Sequence, residues 1–347
     1  SPGTVYLKNG DNLGELRVDG RNVASPTAMP LWLPADTSYT ERVVLRGTGL
    51  TVEVRSDNIM PTNLALVSGA TLSHPAATSN AEYRLNLTVS GILSVDVTSK
   101  IDVSGRGYLT GRTQGNTTNG ASTGYAGGSY GGFGARSSGS INYIYDDFRH
   151  PDHLGSGAGR ANAGGGSVFL AADALQLDGQ IKANGAGDTY YGSGGSGGSV
   201  LIHTRRLGGS GTIAANGGNG YSYDGLGGGG GGRVAVYFEN LDGFHLTNNI
   251  SVLGGSGGGG SGNPGTIYFK PSHDVGLLLV AGPDSALNRT TTIWLPEGTN
   301  YAEHILISGT NRVGELWPGE FMPVNLSILS GGKLTHPATT SNAEYRV

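Results

Sequence analysis

The chain has 347 residues, of which 64 are glycine and none is cysteine; 14% are charged, 7% aromatic, and the formal net charge is -4. Ordinary soluble domains carry roughly 7% glycine and about 25% charged residues, so glycine is more than doubled here and charge nearly halved. The absence of cysteine excludes disulfide staples and thiolate metal sites. Scattered basic residues argue against nucleic acid as a partner, and no run approaches the ~20 apolar residues of a membrane helix.

In chain order, Glu15-Leu16-Arg17-Val18 and Val43-Val44-Leu45 are short strand signals in a glycine-poor opening section. Next come His74-Pro75-Ala76-Ala77-Thr78-Ser79-Asn80-Ala81-Glu82-Tyr83-Arg84 and three alternating stretches, Leu85 to Val89, Ile92 to Val97 and Ile101 to Val103. Period-two alternation marks half-buried strands, and these three read as one three-strand turn. The glycine-rich half follows. Gly166-Ser167-Val168, Gly198-Ser199-Val200, Gly232-Arg233-Val234 and Gly265-Thr266-Ile267 recur at roughly 33 residues, each opening an apolar alternation. In the second of these units Val200, Ile202, Leu207 and Ile213 are the inward positions, before Asn216-Gly217-Gly218-Asn219-Gly220 turns the chain away. The six glycines at 227–232 break the every-third period of collagen, and the apolar runs between glycine clusters exclude a flexible linker.

From residue 263 the chain starts again. Pro2-Gly3-Thr4-Val5-Tyr6-Leu7-Lys8 returns as Pro264-Gly265-Thr266-Ile267-Tyr268-Phe269-Lys270, Trp32-Leu33-Pro34 as Trp294-Leu295-Pro296, and the His74 segment at His336. One offset of about 262 residues accounts for all three, with about 36 of 85 aligned positions identical. Val347, the partner of Leu85, falls in the middle of a strand, as expected of one repeat plus an overlap taken from a longer array. Strands of similar length with long connections predict an all-β chain with almost no helix: a parallel β-helix or β-solenoid with long glycine-rich loops, right-handed because parallel crossovers overwhelmingly are. Residues 1–83 are expected to form glycine-poor turns, 84–262 glycine-rich turns, and 263–347 the start of the next copy. A separate small sandwich over residues 1–70 is the alternative. Turns of about 25–33 residues give about 8–10 turns per repeat and an advance of roughly 40–50 Å at the strand spacing.

Residues able to carry chemistry are few. The glycine runs do not make a phosphate loop, since no Gly-Lys-Ser/Thr occurs and no helix follows; glycine instead permits close backbone approach, as in hydrogen-bonded, polyproline-II-like layers. Asp146, Asp147, His150, Asp152 and His153 form the densest cluster of potential metal ligands. Calcium takes several carboxylate and carbonyl oxygens, which makes Asp146, Asp147 and Asp152 its candidates, but the spacing matches no calcium loop and a solvated, ion-paired loop is the leading expectation. Gly217 to Asp224 comes nearest to a calcium-binding nonapeptide, with the wrong spacing. His74 and His336 are read as structural corners because their whole neighbourhood recurs, with Asn80 and Glu82 satisfying backbone groups and Tyr83 packing. No compact Asp-rich motif suggests the paired carboxylates of sugar hydrolysis. Tyr125, Tyr130, Phe133, Tyr190, Tyr191, Tyr221 and Tyr223 sit among glycine and serine. They either offer flat faces to sugars or pack between turns; packing is favoured. No catalytic residue and no cofactor is expected.

Four segments in a fixed order, Ile101-Asp102-Val103-Ser104-Gly105-Arg106-Gly107-Tyr108, Gly127-Gly128-Ser129-Tyr130-Gly131-Gly132, Gly211-Thr212-Ile213-Ala214-Ala215-Asn216-Gly217-Gly218 and Gly229-Gly230-Gly231-Gly232-Arg233-Val234-Ala235-Val236-Tyr237, resemble the glycine-rich tandem repeats of giant bacterial cell-surface proteins. The resemblance covers roughly residues 70–270 and the start of the next copy. It implies a secreted, β-helical protein at the cell surface and brings no catalytic residues with it. The expected role is a structural repeat of an extracellular filament, sheath or stalk, with copies of itself as partners end to end; whether they also associate laterally is left open by the sequence. An adhesin or glycan-binding surface that meets surface glycans is the alternative, and a polysaccharide-degrading enzyme a more distant one.

Overall fold

The computed structural model describes residues 3–8, 10, 14–20, 27–31, 41–55, 60–223, 225–281, 289–294, 300–317, 320–321 and 323–337. Ser1, Pro2, Trp32, Leu33, Pro34, Asp224, Leu295, Pro296 and the repeated His74 segment beyond Pro337 lie outside them. Twelve strands form one sheet in the order β1 (Gly3–Leu7), β2 (Glu15–Asp19), β4 (Arg42–Arg46), β6 (Asn63–Val67), β8 (Leu85–Val95), β10 (Ser167–Leu177), β12 (Ser199–Gly208), β14 (Arg233–Asp242), β16 (Thr266–Pro271), β17 (Leu277–Ala281), β20 (His304–Ser308) and β23 (Asn325–Leu329). Seven short strands form a second: β3 (Met29–Leu31), β5 (Thr51–Val54), β7 (Thr71–Ser73), β9 (Lys100–Asp102), β11 (Gln180–Lys182), β13 (Thr212–Ala214) and β15 (Ile250–Ser251). A third holds β18 (Arg289–Ile293), β21 (Arg312–Leu316) and β24 (Lys333–Thr335), and β19 (Asn300–Tyr301) pairs with β22 (Glu320–Phe321). Among the described residues the helical structure is one 3-10 turn, Gln114–Asn116.

From β2 to β16 the chain visits the first and second sheets alternately, and neighbouring strands in each run parallel. The fold is therefore nearly all-β with stacked parallel strands, compatible with a β-solenoid. The 33-residue period is the stacking register: Ser167 pairs with Ser199, Ser199 with Arg233, and Arg233 with Thr266. One residue further on, Val168, Val200, Val234 and Ile267 form a buried column, and Ile101, Ile181, Ile213 and Ile250 face it from the second sheet. Each such side chain contributes about 1.5–3 kcal/mol by leaving water. The four inward positions expected in the second unit, Val200, Ile202, Leu207 and Ile213, are all fully buried.

Two expectations are corrected. Strands on both sides of residue 83 share one sheet, with β6 beside β8, so the described strands of residues 1–70 continue the stack rather than standing apart as a sandwich. Leu85 to Val97 is not two strands of a turn: β8 continues through Gly91, and its register against β10 shifts between Val89 and Ile92. The amides released there find Thr62 O (from Gly91, 2.8 Å) and Asn63 Oδ1 (from Ile92, 2.9 Å). A Cβ at residue 91 would lie 2.8 Å from Thr62 O, so a bulge with glycine replaces a corner.

In the glycine-rich half the glycine segments lead from the second sheet back to the first, and the hydrogen bonds of the run 227–232 show a period of three. Gly227 and Gly230 donate to Tyr125 O and Gly128 O. Gly228 and Gly231 donate to Gly260 O and Asn263 O, and Gly229 and Gly232 to Gly218 O and Ala215 O. A β-strand would address two sides in alternation; three sides in rotation is the habit of a polyproline-II strand, with three residues per turn. This run is thus flanked by three others. A Cβ on Gly229 or Gly230 would come within 2.0 or 1.9 Å of a neighbouring carbonyl oxygen.

At the repeat boundary the strand direction turns over. β16 lies parallel to β14, yet β17 pairs antiparallel with β16, as β2 does with β1. The core changes side at the same place. Ile267, Phe269 and Leu279 close the core of the first copy, whereas Tyr268, Leu278 and Val280 belong to a second core with Ile293, Ile305 and Ile307 on the opposite face. In the first copy the positions of Leu277 and Leu279 are held by Glu15 and Arg17, an ion pair beside the exposed Val5 and Leu7.

Candidate functional site

Three groups of residues merit functional scrutiny. The first is the loop around residues 143–153, which lies on the outer face of the twelve-stranded sheet. Phe148 packs edge-on to Tyr268 and Tyr301, and shares their apolar cluster with Leu201 and Ala235. The loop is fastened by Arg233, which is fully buried: its Nε and Nη2 donate to Tyr145 O, and its Nη1 donates to Thr266 Oγ1, with the guanidinium over the Tyr130 ring. Burial depresses the Arg233 pKa. One side chain therefore ties the loop to the sheet and to the first strand of the next copy.

Within the loop, Asp146, Asp152 and His153 come together, with ligand atoms within 4.8 Å of one another. Asp147 is not part of that group; Arg149 grips its carboxylate through Nε (3.0 Å) and Nη2 (2.6 Å). His150 instead stacks on Tyr237. Asp146 is already an acceptor hub, taking hydrogen bonds from Tyr130 Oη (2.5 Å) and the amides of Asp152 (3.0 Å) and His153 (3.1 Å). Desolvation pushes its pKa up, but the bonds from His153 and Tyr130 and the charge of Arg233 outweigh this, and the net shift is downward. His153 Nδ1 lies 2.6 Å from Asp152 Oδ1 and 3.4 Å from Asp146 Oδ2. Its bonds to these two carboxylates raise its pKa to about 9, so at neutral pH the imidazolium occupies the place of a cation between them. In this arrangement the three groups answer one another as an ion-paired loop, and Asp146, Asp152 and His153, rather than the expected Asp147, are the ones close enough together to share a cation.

The second group is the His74 corner. His74 is fully buried; its Nδ1 donates to Pro75 O (2.7 Å), and its Nε2 accepts from the Ser167 amide (3.4 Å). Burial lowers its pKa to about 4, keeping the ring neutral. His336 makes the same local contact with Pro337 O at 2.8 Å. Thr78 Oγ1, rather than Asn80 or Glu82, accepts the backbone amides of the following turn, and Glu82 pairs with Arg84. A histidine spent on backbone bonds in both copies is a corner brace.

The third group is aromatic, and the sequence list divides. Tyr130 is fully buried against Tyr145, and Phe133 packs on Trp317 of the second copy. Tyr190, Tyr191, Tyr221 and Tyr223 instead cluster at the tips of adjacent glycine loops, with centroid separations of 4.3–5.7 Å. Arg160 joins Tyr191 to Tyr125 through cation–π contacts. Tyr190 and Tyr223 are 68% and 71% exposed, which leaves much of their ring surface free for a ligand. The pairing of glycine-loop tips could not be read from sequence, because it depends on the stacking register.

Comparison with known proteins returned no matching family, no similar curated protein and no similar solved structure.

Proposed function

We propose that the chain is a non-catalytic structural repeat of a secreted protein, stacked at the cell surface into a filament, sheath or stalk and coiled in the right-handed sense of most parallel crossovers. One observation carries this reading. β16, the first strand of the second copy, is an internal strand of the first copy's sheet, hydrogen-bonded to β14 on one side and β17 on the other. Copies joined in this way behave as one stack, whose stability is nearly a sum over turns and interfaces. Eight strand spacings separate β1 from β16 in the sheet order, so each copy would advance about 38 Å at ~4.8 Å per spacing. This is just below the range expected from sequence. Electron microscopy of a chain carrying several copies should show that axial rise; a spacing near 100 Å would mean separate domains on linkers and would overturn the proposal.

A second reading is favoured by the exposed tyrosine cluster. Clustered rings held on a rigid layer suit the flat faces of sugars, so the same stack could display a glycan-binding surface. A glycan array probed with the native chain and with Tyr190→Ala/Tyr223→Ala tests it, and equal signals from both would remove it.

A further inference from the structure

We infer that consecutive copies are joined through a strand buried on both faces, and that the joint relates them by a half-turn about the stacking axis. The reversal of strand direction at β16–β17 and the transfer of the core to the other face occur together. Either change alone would invert the hand of the coil. Both together preserve it, because the hand depends on the product of strand direction and core side. Direction and side both change sign under rotation by 180° about the axis along which strands stack. The operator between copies is therefore a two-fold screw: a half-turn plus about 38 Å, from eight strand spacings of ~4.8 Å, with any twist of the sheet added.

The registers place the axis. Leu16 is level with Val43, Leu64, Leu93 and Leu175 across the sheet. Its equivalent Leu278 is level with Tyr268, Ala235, Leu201 and Phe169. The midpoint falls at the level of Ala172, so the axis runs through the middle of the sheet. β16 sits at the joint: Ile267 and Phe269 complete the core behind it, and Tyr268 opens the core ahead. A copy is thus incomplete without the hairpin of the copy that follows. The partner for this surface is a second copy of the same repeat. Extended to an array, a reading that rests on the proposed stacking, the tyrosine clusters of successive copies face opposite sides of the fibre and return to the same side about every 77 Å (two advances of about 38 Å).

The joint can be tested on this chain without any filament, so failure of stacking and failure of the half-turn are separable. The chain lacks cysteine, which allows spin labels at chosen equivalent pairs. Arg42 lies two residues from the axis level and Arg46 six, which is about 7 Å and 20 Å at ~3.3 Å per residue. The half-turn predicts about 41 Å between labels in Arg42→Cys/His304→Cys and about 55 Å in Arg46→Cys/Ser308→Cys, from the same lateral and axial spacings. Simple translation predicts about 38 Å for both. Double electron–electron resonance giving a longer second distance supports the inference; equal distances, or distributions too broad to separate, overturn it. If either pair disturbs folding, the exposed turn residues Thr48 and Thr310 replace it, with an expected distance longer than both.

Discussion

Gly230→Ala tests whether the glycine layer is part of the folded structure. The new methyl group would stand 1.9 Å from Gly132 O, where carbon and oxygen need about 3.2 Å, and its nearest contacts are all backbone. The run must therefore move by roughly 1.3 Å. That displacement strains the bond from Gly230 N to Gly128 O (2.9 Å) and the bond from Gly197 N to Gly230 O (2.9 Å). Leaving a buried amide or carbonyl unpaired costs about 1–3 kcal/mol per group, so one group lost from each of the two bonds predicts a loss of about 2–6 kcal/mol. For a chain of this size, at about 2.1 cal/mol/K per residue, that lowers Tm by roughly 3–8 °C. Gly3→Ala, where nothing lies within 4 Å of the added carbon, is the control and should leave Tm unchanged. Thermal unfolding followed by circular dichroism gives both values, and Gly229→Val with Gly230→Val should disrupt folding altogether. A Gly230→Ala Tm within 1 °C of the native chain would show that the run is a solvated tether and refute the layered account.

Three further outcomes follow from the described contacts. Stability should peak near neutral pH. Neutral His74, with its pKa lowered to about 4, contributes up to about 3 kcal/mol above pH 6.5 that is lost as pH falls toward 4. Protonated His153, with its pKa raised to about 9, contributes about 1–3 kcal/mol below pH 6.5 that is lost as pH rises to 9; in Tm against pH, His153→Gln should flatten the alkaline limb alone. Leu279→Arg, which copies Arg17 into a position that is 3% exposed, buries an unpaired charge at the joint and should cost at least about 3 kcal/mol in urea unfolding. Millimolar calcium and EDTA should each leave Tm unchanged, because Asp146 and Asp147 are already occupied by protein donors; a calcium-dependent rise of several degrees would revive the metal reading.

The repeat, the parallel stacking and the near absence of helix were legible in the sequence because each is a matter of period. Ser167, Ser199, Arg233 and Thr266 announce a common register by their shared glycine and following apolar residue, and the structure pairs them. The reversal at the joint was not legible. Alternation specifies which residues share a face, but not which way the neighbouring strand runs or on which side the core lies. One signal was available: Ile267-Tyr268-Phe269 is apolar without a break, as in strands covered on both faces. The division of the tyrosines was hidden for another reason. Tyr130 and Tyr190 have similar glycine-rich surroundings in sequence, and only the stacking of distant loops buries one and leaves the other 68% exposed. Arg233 likewise occupies a position held by serine in the two preceding turns, and its partners lie 88 and 33 residues away.

The segment around residues 125–135 has a mechanical consequence. Stacked strands place their hydrogen bonds along the stacking direction, so tension on a fibre would load each interface directly, and the weakest would open first. This segment belongs to a single turn, but it bonds to several later ones: Gly128 N to Gly194 O, Gly230 N to Gly128 O, Gly131 N to Gly231 O and Asn263 N to Phe133 O. It runs beside the stack as a tie-rod. Separating β10 from β12, or β14 from β16, would require shearing the rod as well as opening the ladder, so rupture would begin in the glycine-poor turns, which such a rod does not span.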